Sequence, residues 1–278
     1  MGIEKTLKKE IAETDKFIAG LGPEGKSFLD QLAAIDMHVA PLPDDSLHQA
    51  AYEMEDNVFY CPPGLPLSLR FNFRVHEGAH AVQARTIGAL SVGRLRAPMA
   101  ITLDGVIKFA RSVEQNAHGV QAYFNAIAVQ KTGNSAFVDD LDVNSSVNAY
   151  RNAISESMRA GMKPLAVGRA VARSFLGHII QLPVAGMPDD FRLDMKQGEL
   201  LDMLSLSRYE TAIEKRKLAE ARRQDFSRDE YKMILNAVVP LDASDVLLSK
   251  LDGPVKLAPS NRKTYRALRE QLARLNLE

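Results

Sequence analysis

In the segment FRVHEGAHAVQAR, residues 73–85, two histidines stand four apart and a glutamate follows the first. On a helix, residues four apart share a face one turn apart, so His76 and His80 can aim both imidazoles at one point. Glu77 is rotated from His76 by about a quarter turn or slightly more and stands beside that point without reaching it. This is the H-E-x-x-H arrangement of zinc hydrolases. There zinc brings the pKa of its water down to roughly 7 and polarises the scissile carbonyl, while the glutamate takes the proton. The competing reading is an ordinary helix whose polar residues share a face by coincidence. Context favours the metal, because Phe73, Val75, Ala79, Ala81 and Val82 give the apolar surroundings of a ligand helix. Gly78 is the one weak helix former there.

A catalytic zinc takes three protein ligands and leaves a fourth position for water. A metzincin would carry Gly and His farther along the same segment, but the corresponding positions hold Gln83 and Thr86. A gluzincin takes a glutamate from the following helix, and RSVEQNAHGVQAYF, residues 111–124, offers Glu114 amid small and apolar residues. Val113, Ala117, Val120, Gln121 and Phe124 read as a buried face, where an unpaired carboxylate is costly. Ala117, Gly119 and Ala122 would let this helix approach the motif helix closely. Glu114 is thus the expected third ligand.

Three readings stay open for His118, one turn after Glu114: a partner that orients a ligand, a replacement ligand, or a hydrogen-bonded core histidine. Gln83 is either a buttress of the site or a plain polar contact. For the oxyanion of a tetrahedral intermediate, His178, Tyr150 and Tyr123 are candidate donors, each also readable as a packed residue with a satisfied polar tip. Val58, Phe59 and Tyr60 in DNVFYC form the best strand before the motif and are expected to present an edge to a substrate backbone.

The elements that must position these residues are helical, since most of the chain repeats its apolar residues at helical spacing. Residues 3–22 read as an amphipathic helix stopped by Gly20 and Gly22, and 24–37 as a second. Long helices are expected over 67–87 and 99–133, with Gly133 as a stop. Two more follow over 143–161 and 163–183, the latter with Pro164 in its first turn. A charged helix runs from 208 to 235 and another closes the chain; Glu214 to Arg223 reads as a solvated face. The fold class is therefore mainly α, or α+β with a very small sheet. Residues 1–40 form N-terminal helices, 41–185 the core bearing the motif, and 186–278 a C-terminal helical region.

Lys plus Arg number 35 and so do Asp plus Glu, which gives no electrostatic pull toward nucleic acid or anionic lipid. Neither is expected as a partner. One cysteine, Cys61, cannot form an intrachain disulfide and suits a reducing compartment. With no signal-like segment and no long uncharged run, a cytoplasmic location is expected.

The pairing of HEGAHAVQ with the later EQNAHGVQA resembles a poorly characterised bacterial family of gluzincin-type metallopeptidases, whose pattern is H-E-x-x-H-A-x-Q followed by a helix with E-A-D-A-like residues. The likeness spans roughly residues 50–185. It implies a zincin-like core in which the H-E-x-x-H helix packs on a Glu-bearing helix, with zinc on His76, His80 and Glu114 and with Glu77 as general base. The chain departs from the pattern at Gln115 and Asn116, where Ala and Asp are usual, and at His118, where an acid is usual. A zinc-dependent peptidase acting on a peptide or protein substrate is the leading expectation. The other is a helical interaction protein whose zinc is structural.

Overall fold

The computed structural model describes residues 2–43, 50–53, 57–91, 103–140, 145–174 and 226–244. Among them are eight helices and one three-stranded sheet, so the fold is mainly helical, as the spacing of apolar residues requires. No described helix is long and apolar enough to cross a membrane. Inter-residue contacts divide the chain into two units: residues 1–86, 114–175 and 235–243, and residues 87–113, 176–234 and 244–278. His76, Glu77, His80, Gln83, Glu114 and His118 all belong to the first.

That first unit begins with α1 (Ile3–Gly20) and α2 (Pro23–Ala33). Gly22 sits between them at φ +125°, a conformation open to glycine, and Pro23 starts α2 at the position where a missing N–H costs nothing. The sheet follows, with β1 (His38–Pro41), β2 (Ala51–Glu53) and β3 (Val58–Cys61) in the order β1-β3-β2. β1 lies parallel to β3 and β2 antiparallel to it. Asn57, itself at φ +54°, donates from its side chain to the carbonyls of Ile35 and Asp36 and so ties the entry of β1 to that of β3. Phe59 and Cys61 face inward onto Leu7 and Ile11 of α1.

Next come α3 (Leu67–Ser91), which carries the H-E-x-x-H residues, and α4 (Leu103–Thr132), which carries Glu114 and His118. α4 ends where Gly133 adopts φ +68° and its N–H bonds Val129, the glycine stop expected from sequence. α5 (Ala136–Asp139), α6 (Ser145–Arg159) and α7 (Pro164–Ser174) complete the described helices of this unit, with Pro164 heading α7 as expected.

Two glycines explain the close contacts. A Cβ on Gly78 would lie 2.7 Å from the Phe28 ring and 3.2 Å from Leu32, so α2 packs directly on the backbone of α3 between the two histidines. A Cβ on Gly119 would meet Ala172, Leu241 and the Gly168 carbonyl. The small residue at 119 therefore serves the crossing of α4 with α7, not the approach to α3 that its position suggested. An aromatic cluster fixes α3 from another side: Phe17 stacks on Phe137 at 4.8 Å, and Phe71 meets both edge-on. Such pairs contribute about 0.5–1.5 kcal/mol each beyond their burial.

α8 (Arg228–Leu235), which belongs to the second unit up to Ile234, starts at a capping box. The Ser227 N–H donates to Glu230 Oε2, and the Glu230 N–H to Ser227 Oγ. Phe226 and Ser227 are not helical, so the single charged helix expected through 208–235 does not run unbroken. The cap residues S-R-D-E compete successfully for the backbone there.

Candidate metal site

α3 and α4 run antiparallel, and polar side chains bridge them along their length. Gln121 donates to Asn72 near one end and Gln83 to Asn116 near the other. Between these bridges, His76 and His80 project from consecutive turns of α3, while Glu114 and His118 project from consecutive turns of α4.

His80 Nε2 lies 3.2 Å from His76 Nε2 and 3.2 Å from Glu114 Oε1, and His76 Nε2 lies 3.4 Å from Glu114 Oε2. Donors about 2.0–2.1 Å from a tetrahedral zinc stand about 3.3–3.4 Å from one another. The two imidazole nitrogens thus stand close to one such edge, while each meets a different oxygen of Glu114, so a small turn of the carboxylate would let the three side chains take the ion. His118 forms a group with two of them, its ligating atom lying within 4.8 Å of those of His76 and Glu114.

The protonation pattern follows from the crowding. Burial disfavours charge on His80, but the Glu114 carboxylate, with Glu77 and Gln83, outweighs it and pushes this imidazole up to about 9. Burial works against ionised Glu114 as well, yet His80 and then His76 hold its carboxyl well below the usual carboxylate range. Burial, then the neighbouring His76 ring, pushes His118 down to about 3 against the pull of Glu114. Metal-free, the carboxylate is balanced by a proton on His80. A divalent ion would replace that proton with stronger, directional bonds to all three groups. Glu114 is 40% exposed at its side chain, so the expectation of a fully buried carboxylate does not hold, and the cluster is open to solvent on its side. Its neighbours Ala117, Val120, Gln121 and Phe124 are buried.

Gln83 lies within 3.1 Å of His80 Nδ1 through its Oε1, and its amide donates to Asn116 at 2.9 Å. Both amides are buried. Accepting from Nδ1–H orients the ring so that Nε2 faces Glu114, where it holds the balancing proton without metal and would offer its lone pair to an ion. Tyr150 donates its hydroxyl to the His118 carbonyl at 3.2 Å, and its ring lies beside the His118 ring; burial holds its hydroxyl well above its usual pKa. That bond gives the hydroxyl a backbone partner rather than an oxyanion role. Tyr123 is buried against Phe124, where desolvation pushes its hydroxyl up to about 12. His178 lies outside the described residues.

One expectation is corrected by the sheet order. β3 is the middle strand: Val58, Phe59 and Tyr60 pair with His38–Ala40 on one side and with Ala51–Glu53 on the other. Their backbone is consumed on both sides and offers no edge. β2 is an edge strand, and the Tyr52 N–H, pointing away from β3, donates to Glu77 Oε2 at 2.9 Å. This contact had no signal in the sequence, because a backbone N–H is common to nearly every residue and only pairing order aims it. Asn116 was visible only as a departure from a pattern, and its role as the anchor of Gln83 emerges from the packing.

Comparison with protein-family models, with curated proteins and with solved structures finds no match for this chain.

Proposed function

We propose that this chain is a zinc-dependent hydrolase acting on peptides, with zinc held by His76, His80 and Glu114. The observation that carries the reading is the convergence of His76 Nε2 and His80 Nε2, 3.2 Å apart, on the Glu114 carboxylate, whose two oxygens lie 3.4 Å from the first and 3.2 Å from the second. Zinc held there supplies a Lewis acid and a water acidified to a pKa near ~7.

Glu77 supplies the base. Its position one residue after His76 sets its carboxylate beside the cluster, and the Tyr52 N–H holds Oε2, leaving Oε1 to accept a proton. The same backbone bond sets the outer edge of β2 next to the general base. The preference for a peptide over a small ester rests on the H-E-x-x-H pattern and not on that edge, whose outward N–H at Tyr52 is already taken by Glu77. Gln83 keeps His80 in the tautomer that ligates through Nε2.

The test has two parts. Purified protein supplemented with zinc should retain about one equivalent, and less than about half an equivalent would sink the reading, since such ligand sets hold zinc tightly at neutral pH. Glu77→Gln should keep the zinc and the fold while lowering peptide hydrolysis by about 10²–10⁴-fold, the usual contribution of a general base. Unchanged hydrolysis in that variant would remove Glu77 from the mechanism.

A further inference from the structure

A tetrahedral ion held by His76, His80 and Glu114 has one vertex unassigned, and the chain brings a further ligating side chain beside them. His118 lies one turn from Glu114 on the same face of α4, as His80 lies one turn from His76 on α3. His118 thus stands with His76 and Glu114, and its approach to an ion that also binds His80 follows from His80 and His76 sharing a face of α3. The His118 ligating atom is within 4.8 Å of those of His76 and Glu114. Bringing that separation to the roughly 3.3–3.4 Å of a tetrahedral edge takes a displacement of about 1.4 Å, within the reach of a side-chain rotation.

Ring geometry points the same way. Two imidazoles bound to one tetrahedral zinc have ring centres about 5 Å apart. His76 and His80 are at 4.8 Å, and His76 and His118 at 4.4 Å with a 47° tilt. His118 therefore meets His76 as a second ligand of one ion would, ring beside ring. The orienting role behind His80 is already filled by Gln83.

We infer that His118 is a fourth protein ligand, so that the resting site is closed by three histidines and one glutamate and opens when His118 swings off the ion and frees the vertex that water takes. The inference rests on the zinc reading above and adds to it a built-in latency: the water position exists only after His118 leaves.

The test compares the full-length protein with His118→Phe and His118→Ala, each loaded with cobalt(II) in place of zinc, with circular dichroism as the control for folding. Loss of an orienting partner would also weaken metal affinity by about 10–100-fold, so affinity alone does not decide. The deciding readout is access to the ion by azide, followed in the visible absorption of cobalt. If His118 ligates, the native protein's spectrum should not respond to azide, whereas whichever variant folds should show a saturable change. An azide response of equal size in native and variant proteins would overturn the assignment. Failure of both native protein and variants to take up cobalt or zinc is a different result, and it would end the metal reading itself.

Discussion

Two polar clusters on neighbouring turns of α3 make opposite use of charge. Toward α1, Arg74 forms a two-pronged bond to Asp15 at 2.9 and 2.9 Å, and Arg70 lies 3.6 Å from both Glu10 and Glu13 while donating to the Leu65 carbonyl. Each guanidinium there meets a carboxylate, and the Arg74 group also covers the Phe59 ring at 5.5 Å. Toward α4, the Nε2 atoms of His76 and His80 face each other and the Glu114 carboxylate. The counter-charge there is the proton that Glu114 keeps on His80. Each cluster leaves one buried nitrogen without a hydrogen-bond partner among the described residues, Arg74 Nη1 in the first and His76 Nδ1 in the second. What separates them is charge: the first sets each guanidinium against a carboxylate and ties α3 to α1, whereas the second sets two imidazoles against a single carboxylate.

The contrast can be broken most forcefully at Glu114. Glu114→Ala should weaken zinc binding by more than about 100-fold, beyond the 10–100-fold expected for loss of an orienting partner. Arg74→Ala should leave zinc stoichiometry intact yet lower stability by about 2–3 kcal/mol. That is below the 3–5 kcal/mol of a fully buried pair, because Asp15 is 30% exposed. Chelator competition and urea denaturation measure the two effects, and loss of zinc in Arg74→Ala would merge the clusters into one.

A smaller effect sharpens the comparison within the site. Gln83→Leu removes the acceptor that fixes His80 and should lower zinc affinity by about 10–100-fold, with hydrolysis falling in proportion to metal occupancy. Affinity unchanged within about threefold would demote Gln83 to a packing contact.

The smallest effect is on pH dependence without metal. His80 is raised in the folded state to about 9, so its stabilisation is fully present below its unfolded value of 6.5 and is lost as pH rises through about 9. His118 is depressed to about 3, so the unfolded chain takes up its proton first, and stability falls as pH drops below 6.5. Together they place the site's contribution to metal-free stability at a maximum near pH 6.5. Zinc displaces the His80 proton, so zinc stabilisation should grow as pH rises toward 9. Melting temperatures with chelator and with zinc across pH 5–9 test this. A metal-free curve that rises steadily to pH 9 would show that His80 carries no such proton.

Sequence exposed the site where chemistry is written in side chains at a helical period. His76, His80 and Glu114 are named by type, and the 3.6-residue repeat alone puts 76 with 80 and 114 with 118. The mainly helical class followed from the same repeat. What stayed hidden depends on which elements become neighbours. Val58–Tyr60 is rich in β-formers, yet nothing local says that two short strands, one ending in Pro41 and the other only three residues long, will flank it. The Tyr52 N–H bond to Glu77 follows from that pairing and so was equally out of sight. Gly119 announced a close approach but not its partner, since α7 lies more than forty residues further along the chain.

Gly78 carries a lesson of its own. In H-E-x-x-H the two middle positions are written as free, because neither touches the metal. Here the first of them is occupied by the Phe28 ring, which leaves no room for a side chain between the ligands. The motif in this chain is in effect H-E-G-x-H, and the extra letter is imposed by a helix that holds no ligand at all. A search for proteins built on the same plan should demand that glycine together with an aromatic in the preceding helix. Drift in α2 then becomes a route by which a metal centre can be lost while every one of its ligands remains in place.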